Sequence, residues 1–115
     1  MHRLIKREDI QQLLAAQAAV TLVEALPPGY YARGHLPGAV NLPHDQVRER
    51  AARVLPDKSA LIVVYCANTP CPNSAIAART LEALGYTNVA EYVEGKQDWV
   101  EAGLPLETPM REEAA

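Results

Sequence analysis

The segment that most restricts the fold is LIVVY, residues 61–65, which contains no charged residue and no polar residue before Tyr65. A strand with one face in water would alternate apolar and polar side chains, because successive residues point to opposite faces. Continuous apolar character is instead typical of a strand covered on both faces, as in the centre of a parallel sheet. The segment therefore predicts a central, buried strand.

Shorter apolar segments and helical patterns alternate along the rest of the chain. The predicted strands are residues 3–6, 20–25, 39–42, 61–65 and 88–93. The predicted helices begin at Glu8, near residue 46, at Ser74 and at Lys96, and PPGYYARG suits a turn followed by a short helix. This order favours an α/β domain with a mostly parallel sheet of about five strands and helices on both faces. We expect that domain to occupy residues 1–108 and residues 109–115 to form a short C-terminal tail.

Helical spacing also predicts which side chains face the core. The first helix should bury Ile10, Leu13, Leu14 and Ala18. The helix over residues 74–84 should turn inward Ile76, Ala77, Thr80, Leu81 and Leu84. Asp45 is expected to cap the helix before QVRERAARVL, and Ser74 is expected to cap the helix that it begins.

Composition excludes several classes of protein. A chain of 115 residues with 49% hydrophobic residues can bury an ordinary core. A formal net charge of -3 without a Lys/Arg cluster argues against nucleic acid as a partner. No apolar segment is long enough to span a membrane, and MHRLIKRED lacks the apolar centre of a signal peptide, so we expect a cytoplasmic protein with no membrane partner. Two cysteines are too few for a disulfide scaffold.

Both cysteines lie in the loop YCANTPCPNS, residues 65–74. Cys66 directly follows the predicted central strand, at the sheet edge where ligands bind in open α/β folds. The N–H groups of the loop and of the next helix would favour an anion there, and a helix N-terminus can lower the pKa of a thiol. Cys66 is thus a candidate nucleophile, and the alternative is an inert cysteine at the end of a core strand.

Four stretches together resemble the single-domain rhodaneses, and the resemblance covers residues 3–107. The stretches are VTLVEALPPGYYARGHLPGAVNLP, LIVVYC, AARTLEALGYTNVAEYVEG and WVEAGLPLE, in that order. The resemblance implies a rhodanese-like three-layer fold and a sulfurtransferase without metal or organic cofactor. Its cysteine after the central strand would take sulfane sulfur from thiosulfate, a persulfide or a polysulfide as a persulfide, and pass it to cyanide, a thiol or an acceptor protein.

Carried onto this chain, the nucleophile of that reaction is Cys66. The remaining loop would bind the sulfur donor through its backbone. This predicted substrate-binding loop comprises Ala67, Asn68, Thr69, Pro70, Pro72, Asn73 and Ser74.

The chain departs from the rhodanese pattern in its basic residues. Family members commonly carry an arginine in this loop just before the helix, where the present chain has Asn73. The acidic-x-Arg pair at the end of the early strand appears as Glu24 with Leu26. An arginine would supply a charged fork of donors for sulfonate or phosphate oxygens. Phosphoryl transfer is therefore not expected, and thiosulfate is expected to be a poorer donor than a persulfide or polysulfide.

Cys71 has two interpretations. As a resolving thiol it would attack persulfidated or oxidised Cys66 and leave a Cys66–Cys71 disulfide, which the separation of five residues permits. Otherwise it fills space between Pro70 and Pro72. A zinc site is not expected because the two cysteines lack C-x2-C spacing. Two rival functions remain open: a non-catalytic rhodanese-like binding module, and a thiol redox protein that uses that disulfide.

Overall fold

Five parallel strands form one sheet in a computed structural model, which describes residues 2–109. The strands are β1 (Arg3–Leu4), β2 (Thr21–Glu24), β3 (Val40–Asn41), β4 (Ile62–Tyr65) and β5 (Val89–Tyr92). Their order across the sheet is β1-β5-β4-β2-β3, and each neighbouring pair is parallel. The predicted α/β fold is confirmed, and LIVVY supplies the central strand as expected.

Helices cover both faces of this sheet. They are α1 (Arg7–Ala15), α2 (Pro28–Arg33), α3 (Val47–Val54), α4 (Asn73–Ala83) and α5 (Gly95–Glu101), with a 3-10 turn at His44–Gln46 before α3. No helix within residues 2–109 has both the length and the apolar character required to cross a membrane. Residues 110–115, most of the predicted tail, lie outside the described part of the chain.

The side chains of β4 alternate between two hydrophobic cores. Ile62 and Val64 pack with residues of α3 and α4, whereas Val63 and Tyr65 pack with residues of α1 and α5. All four side chains are buried, because helices cover the sheet on both sides. Successive residues of β4 therefore differ in the core that they enter and not in their solvent exposure. Cys66 continues this alternation on the side of α4.

The predictions for the three helices α1, α3 and α4 are wrong in part. Helix α1 ends at Ala15, so Ala18 lies beyond it and is exposed. Ile76 is 36% exposed and Thr80 is only partly buried, because the inward stripe of α4 instead runs through Ser74, Ala77, Ala78 and Leu81. Asp45 does not cap α3, since it lies inside the 3-10 turn that leads into that helix.

Candidate active site

Cys66 lies at the carboxyl end of the central strand, where residues 67–72 loop over it before α4 begins at Asn73. The side chain has no exposed surface. Its sulfur is 3.5 Å from the carbonyl oxygen of Cys71 and 3.5 Å from the hydroxyl oxygen of Ser74, and the single S–H proton can be donated to either oxygen. The candidate nucleophile is therefore enclosed in this conformation of the loop.

The predicted loop residues differ in how far they are buried and in whether they contact the Cys66 sulfur. Ser74 is buried, Ala67, Asn68, Cys71 and Asn73 are partly buried, and Thr69, Pro70 and Pro72 are exposed. Among them, Cys71 and Ser74 contact the sulfur, and a turn closed by the Cys71 N–H and the Asn68 carbonyl (3.1 Å) brings Cys71 back towards it. Both cysteines are free thiols.

Helix α5 holds the start of this loop through its first amides. The N–H of Lys96 donates to the carbonyl of Cys66 at 2.9 Å, and the N–H of Gln97 donates to the carbonyl of Ala67 at 2.8 Å. Gly95 makes this approach possible: its φ is +66°, and a Cβ there would collide with the Cys66 carbonyl oxygen. Two amides that the helix leaves unpaired thus fix the backbone at the nucleophile.

Ser74 connects the sulfur to a buried carboxylate. Its hydroxyl donates to Oε2 of Glu91 at 2.7 Å, and the other carboxylate oxygen, Oε1, lies 2.8 Å from Nε2 of His2. Glu91 is 6% exposed and lies on β5, in register with Val64 of the central strand. The prediction that Ser74 caps α4 is wrong, because Pro72 occupies the cap position and the Ser74 side chain turns towards the sheet.

The surroundings of Cys66 favour the neutral thiol. The pKa of Cys66 is raised from its ordinary value of 9.0 to about 11, chiefly by burial and next by the neighbouring Cys71 side chain. Ser74 would lower this pKa by donating its hydroxyl and its backbone N–H to the thiolate, but the two together do not overcome burial. The expected lowering of this pKa by the helix N-terminus is therefore not seen, and Cys66 is protonated at neutral pH in this conformation.

A second buried carboxylate lies on the opposite face of the sheet. Glu24 has no exposed surface, accepts from the Tyr65 hydroxyl at 2.8 Å and pairs with the Lys96 ammonium at 3.0 Å. The Tyr65 hydroxyl in turn accepts from the N–H of Leu36 at 3.0 Å. Glu24 therefore has a cationic partner, which α5 supplies. The chain has Leu26 at the position where the rhodanese pattern carries an arginine.

Sequence patterns did not identify Glu91, Gly95 or Lys96 as part of the site. The available signal for Glu91 was a charge in the otherwise apolar segment VAEY, which predicts a buried partner. Gly95 and Lys96 could not be paired with Cys66 from the sequence, because their contacts depend on how α5 docks beside the loop after β4.

A family model for the rhodanese-like domain matches residues 6–102. The chain belongs to the rhodanese-like family. A sulfurtransferase of Allochromatium vinosum is 30% identical to this rhodanese-like chain over 105 residues, covering 91% of the chain and 94% of that protein. An HTH-type transcriptional regulator of Mycobacterium tuberculosis is 35% identical over 88 residues, covering 76% of the chain but only 38% of the regulator.

The fold also matches that of a solved sulfurtransferase structure. The crystal structure of a thiosulfate sulfurtransferase from Pseudomonas aeruginosa matches with a TM-score of 0.83 and 27% identity, over 95% of this rhodanese-like chain and 21% of that one. The chain thus corresponds to a fraction of some longer relatives and to nearly the whole of the Allochromatium protein. Of these relatives, the Allochromatium and Pseudomonas proteins are sulfurtransferases.

Proposed function

We propose that the protein transfers sulfane sulfur through a persulfide on Cys66. The observation that carries this proposal is the position of Cys66, at the end of the central strand and beneath the loop that leads into α4. In the first step the Cys66 thiolate attacks the outer sulfur of a donor R–S–S⁻, so that a Cys66–sulfur bond forms, the donor S–S bond breaks and R–S⁻ leaves. The thiol proton goes to that leaving thiolate.

The second step returns the enzyme to its starting form. A thiolate acceptor attacks the outer sulfur of the Cys66 persulfide and displaces the Cys66 thiolate, and cyanide reacts in the same way to give thiocyanate. Because Cys66 is fully enclosed, both steps require residues 67–72 to move away from the sulfur. The loop therefore acts as a cover as well as a binding surface.

The charges around the loop favour a persulfide or polysulfide over thiosulfate. No Lys or Arg occurs in residues 66–73, and the ammonium of Lys96 is already paired with Glu24. The dianionic thiosulfate would have to lose its hydration without a cation to replace it. A persulfide R–S–S⁻ carries one negative charge in place of two and lacks the sulfonate group, so its binding depends less on such a cation.

Mass measurement of the intact protein tests this proposal. The reduced protein is incubated separately with a polysulfide and with thiosulfate. We expect one added sulfur with polysulfide, its removal by cyanide, and no adduct in Cys66→Ser. Absence of an adduct with both donors would favour the non-catalytic binding module, and an adduct retained in Cys66→Ser would place the chemistry on another residue.

A second candidate role concerns Cys71, because its backbone carbonyl lies 3.5 Å from the Cys66 sulfur and its side chain raises the pKa of that thiol. The Cys71 thiolate would attack the inner sulfur of the Cys66 persulfide, form a Cys66–Cys71 disulfide and release hydrosulfide; a small thiol would then reduce the disulfide. In that case hydrosulfide release without added acceptor should be stoichiometric in the native chain and absent in Cys71→Ser. Equal release from both proteins would exclude the role, and a disulfide formed by oxidant alone would support thiol redox function.

A further inference from the structure

Hydrogen bonds run in one direction from the Cys66 thiol through Ser74 to Glu91, which also contacts His2. The Cys66 thiol donates to Ser74 Oγ at 3.5 Å, and the Ser74 hydroxyl donates to Glu91 Oε2 at 2.7 Å. His2 Nε2 contacts the second carboxylate oxygen, Oε1, at 2.8 Å. Ser74 and Glu91 are both almost fully buried, so water does not compete for these bonds.

A serine hydroxyl has a single proton, and this decides what Ser74 can do at the sulfur. An ionised carboxylate only accepts hydrogen bonds, so the Ser74 proton points at Glu91. Ser74 then offers only lone pairs to Cys66, and a lone pair stabilises the S–H form and not the thiolate. The Ser74 hydroxyl could lower the pKa of Cys66 only if its proton turned to the sulfur.

We propose that Glu91 is a positioning residue that directs the Ser74 hydroxyl away from Cys66 and thereby keeps the nucleophile in its thiol form. The charge of Glu91 acts in the same sense, because a second negative charge nearby opposes ionisation of the sulfur. If the Ser74 hydroxyl no longer donated its hydrogen bond to Glu91, it could donate one to the Cys66 thiolate. The proposal concerns the nucleophile of the proposed function and rests on that function only for its effect on sulfur transfer.

Several other groups could influence the same titration. Cys71 faces Cys66 from the loop, His2 faces Glu91 from the segment before β1, and Glu82 of α4 lies 4.0 Å from Nδ1 of His2. The test is therefore made with Cys71→Ser in every protein and with His2 and Glu82 unchanged.

The test measures the ultraviolet absorbance of the Cys66 thiolate against pH. Every protein carries Cys71→Ser, and the Cys66→Ser/Cys71→Ser protein supplies the tyrosine background. Glu91→Gln keeps the size of the side chain, still accepts from His2 and can donate its amide to Ser74. We expect Glu91→Gln to lower the apparent pKa of Cys66 by about one unit or more. Glu94→Gln is the matched control, because its carboxylate pairs with Lys6 and its removal should leave the thiol titration unchanged.

Ser74→Ala distinguishes an effect of Glu91 on the orientation of the Ser74 hydroxyl from a direct effect of the Glu91 charge on Cys66. In the Ser74→Ala background, Glu91→Gln should shift the apparent pKa of Cys66 by less than half as much as it does with Ser74 present. An equal shift in both backgrounds, or a rise in Glu91→Gln, would overturn the proposal. Ser74→Ala alone provides a further test if Glu91→Gln fails to fold: a rise in the apparent pKa would show that the hydroxyl donates to the thiolate, contrary to the proposal.

Sulfur transfer gives a separate measurement. A fall of one unit raises the thiolate fraction about tenfold and lowers its nucleophilicity about threefold, so Cys66 of Glu91→Gln should take sulfur from polysulfide about threefold faster at neutral pH. A shifted thiol titration without any persulfide would contradict the proposed function and leave the role of Glu91 supported. An unshifted titration with normal persulfide formation would contradict the role of Glu91 alone.

Discussion

The ammonium group of Lys96 lies 3.0 Å from the carboxylate of Glu24, a side chain with no exposed surface. Lys96 is itself 16% exposed, so removal of the lysine leaves a carboxylate at Glu24 that water cannot reach. The same residue donates its backbone N–H to the carbonyl of Cys66. Lys96 therefore joins the Glu24 ion pair on one face of the sheet to the backbone of the proposed nucleophile.

Lys96→Met should lower the free energy of unfolding by about 3 kcal/mol, because it leaves Glu24 buried and unpaired. Chemical denaturation measures this loss. Glu24→Gln combined with Lys96→Met should recover much of it, since the uncompensated charge is then absent. Lys6→Met is the control: Lys6 forms an exposed pair with Glu94, so its replacement should change the unfolding midpoint little. Equal losses in Lys6→Met and Lys96→Met would contradict this account of the Glu24 pair.

Tyr65→Phe should destabilise the fold by about 1–3 kcal/mol, because it leaves a Glu24 oxygen and the N–H of Leu36 without their shared partner. Unfolding by guanidinium, followed by circular dichroism, gives the difference. Tyr30→Phe removes the same hydroxyl from a side chain that is 47% exposed and should be close to neutral. A Tyr65→Phe protein as stable as Tyr30→Phe would show that the buried hydrogen bonds contribute nothing.

Gly95→Ala should destabilise the protein by at least about 2 kcal/mol more than Gly103→Ala. Both glycines have positive φ, +66° at Gly95 and +81° at Gly103, so both substitutions strain the backbone. Only the Cβ at Gly95 meets a neighbour, the carbonyl oxygen of Cys66, whereas nothing lies within 4 Å at Gly103. Thermal unfolding of the two variants isolates the collision from the strain, and similar losses would argue against a tight approach of α5 to the loop.

The raised pKa of Cys66 predicts a loss of stability in alkali. The folded state binds the thiol proton up to about pH 11, whereas the unfolded chain releases it near pH 9. Between these values the folded state holds more protons, so the free energy of unfolding falls as pH rises and the contribution is complete below pH 9. The loss should be about 2 kcal/mol in the native chain and absent in Cys66→Ser, as measured by urea denaturation across this range. Parallel curves for the two proteins would mean that the thiol is not protected from ionisation.

The sequence was sufficient to predict the sheet but not the connections around the sulfur. The apolar run of LIVVY predicted the central strand and hence the placement of Cys66, because a parallel sheet buries both faces of its middle strand. The partners of Glu24 and Glu91 were not predicted. Lys96 is 72 residues from Glu24 and His2 is 89 residues from Glu91, so only the docking of α5 and the chain before β1 brings them together.

The orientation of α4 shows the same limit at shorter range. Ile76 and Thr80 are spaced as an inward pair, yet the small residues Ala77 and Ala78 face the sheet. The sequence pattern permitted both faces. The face that carries Ala77 and Ala78 turns inward because these small side chains pack closely with residues of α3 in one core.

The contacts between α5 and the loop also set an order of events during synthesis. The amides of Lys96 and Gln97 hold the carbonyls of Cys66 and Ala67, and they lie some thirty residues further along the chain. While a ribosome is still adding those residues, the growing chain carries Cys66 without its final enclosure. Until α5 emerges and docks, the loop over Cys66 lacks the two hydrogen bonds that hold its start, so oxidants reach the Cys66 thiol of a newly made chain more readily than that of the folded protein.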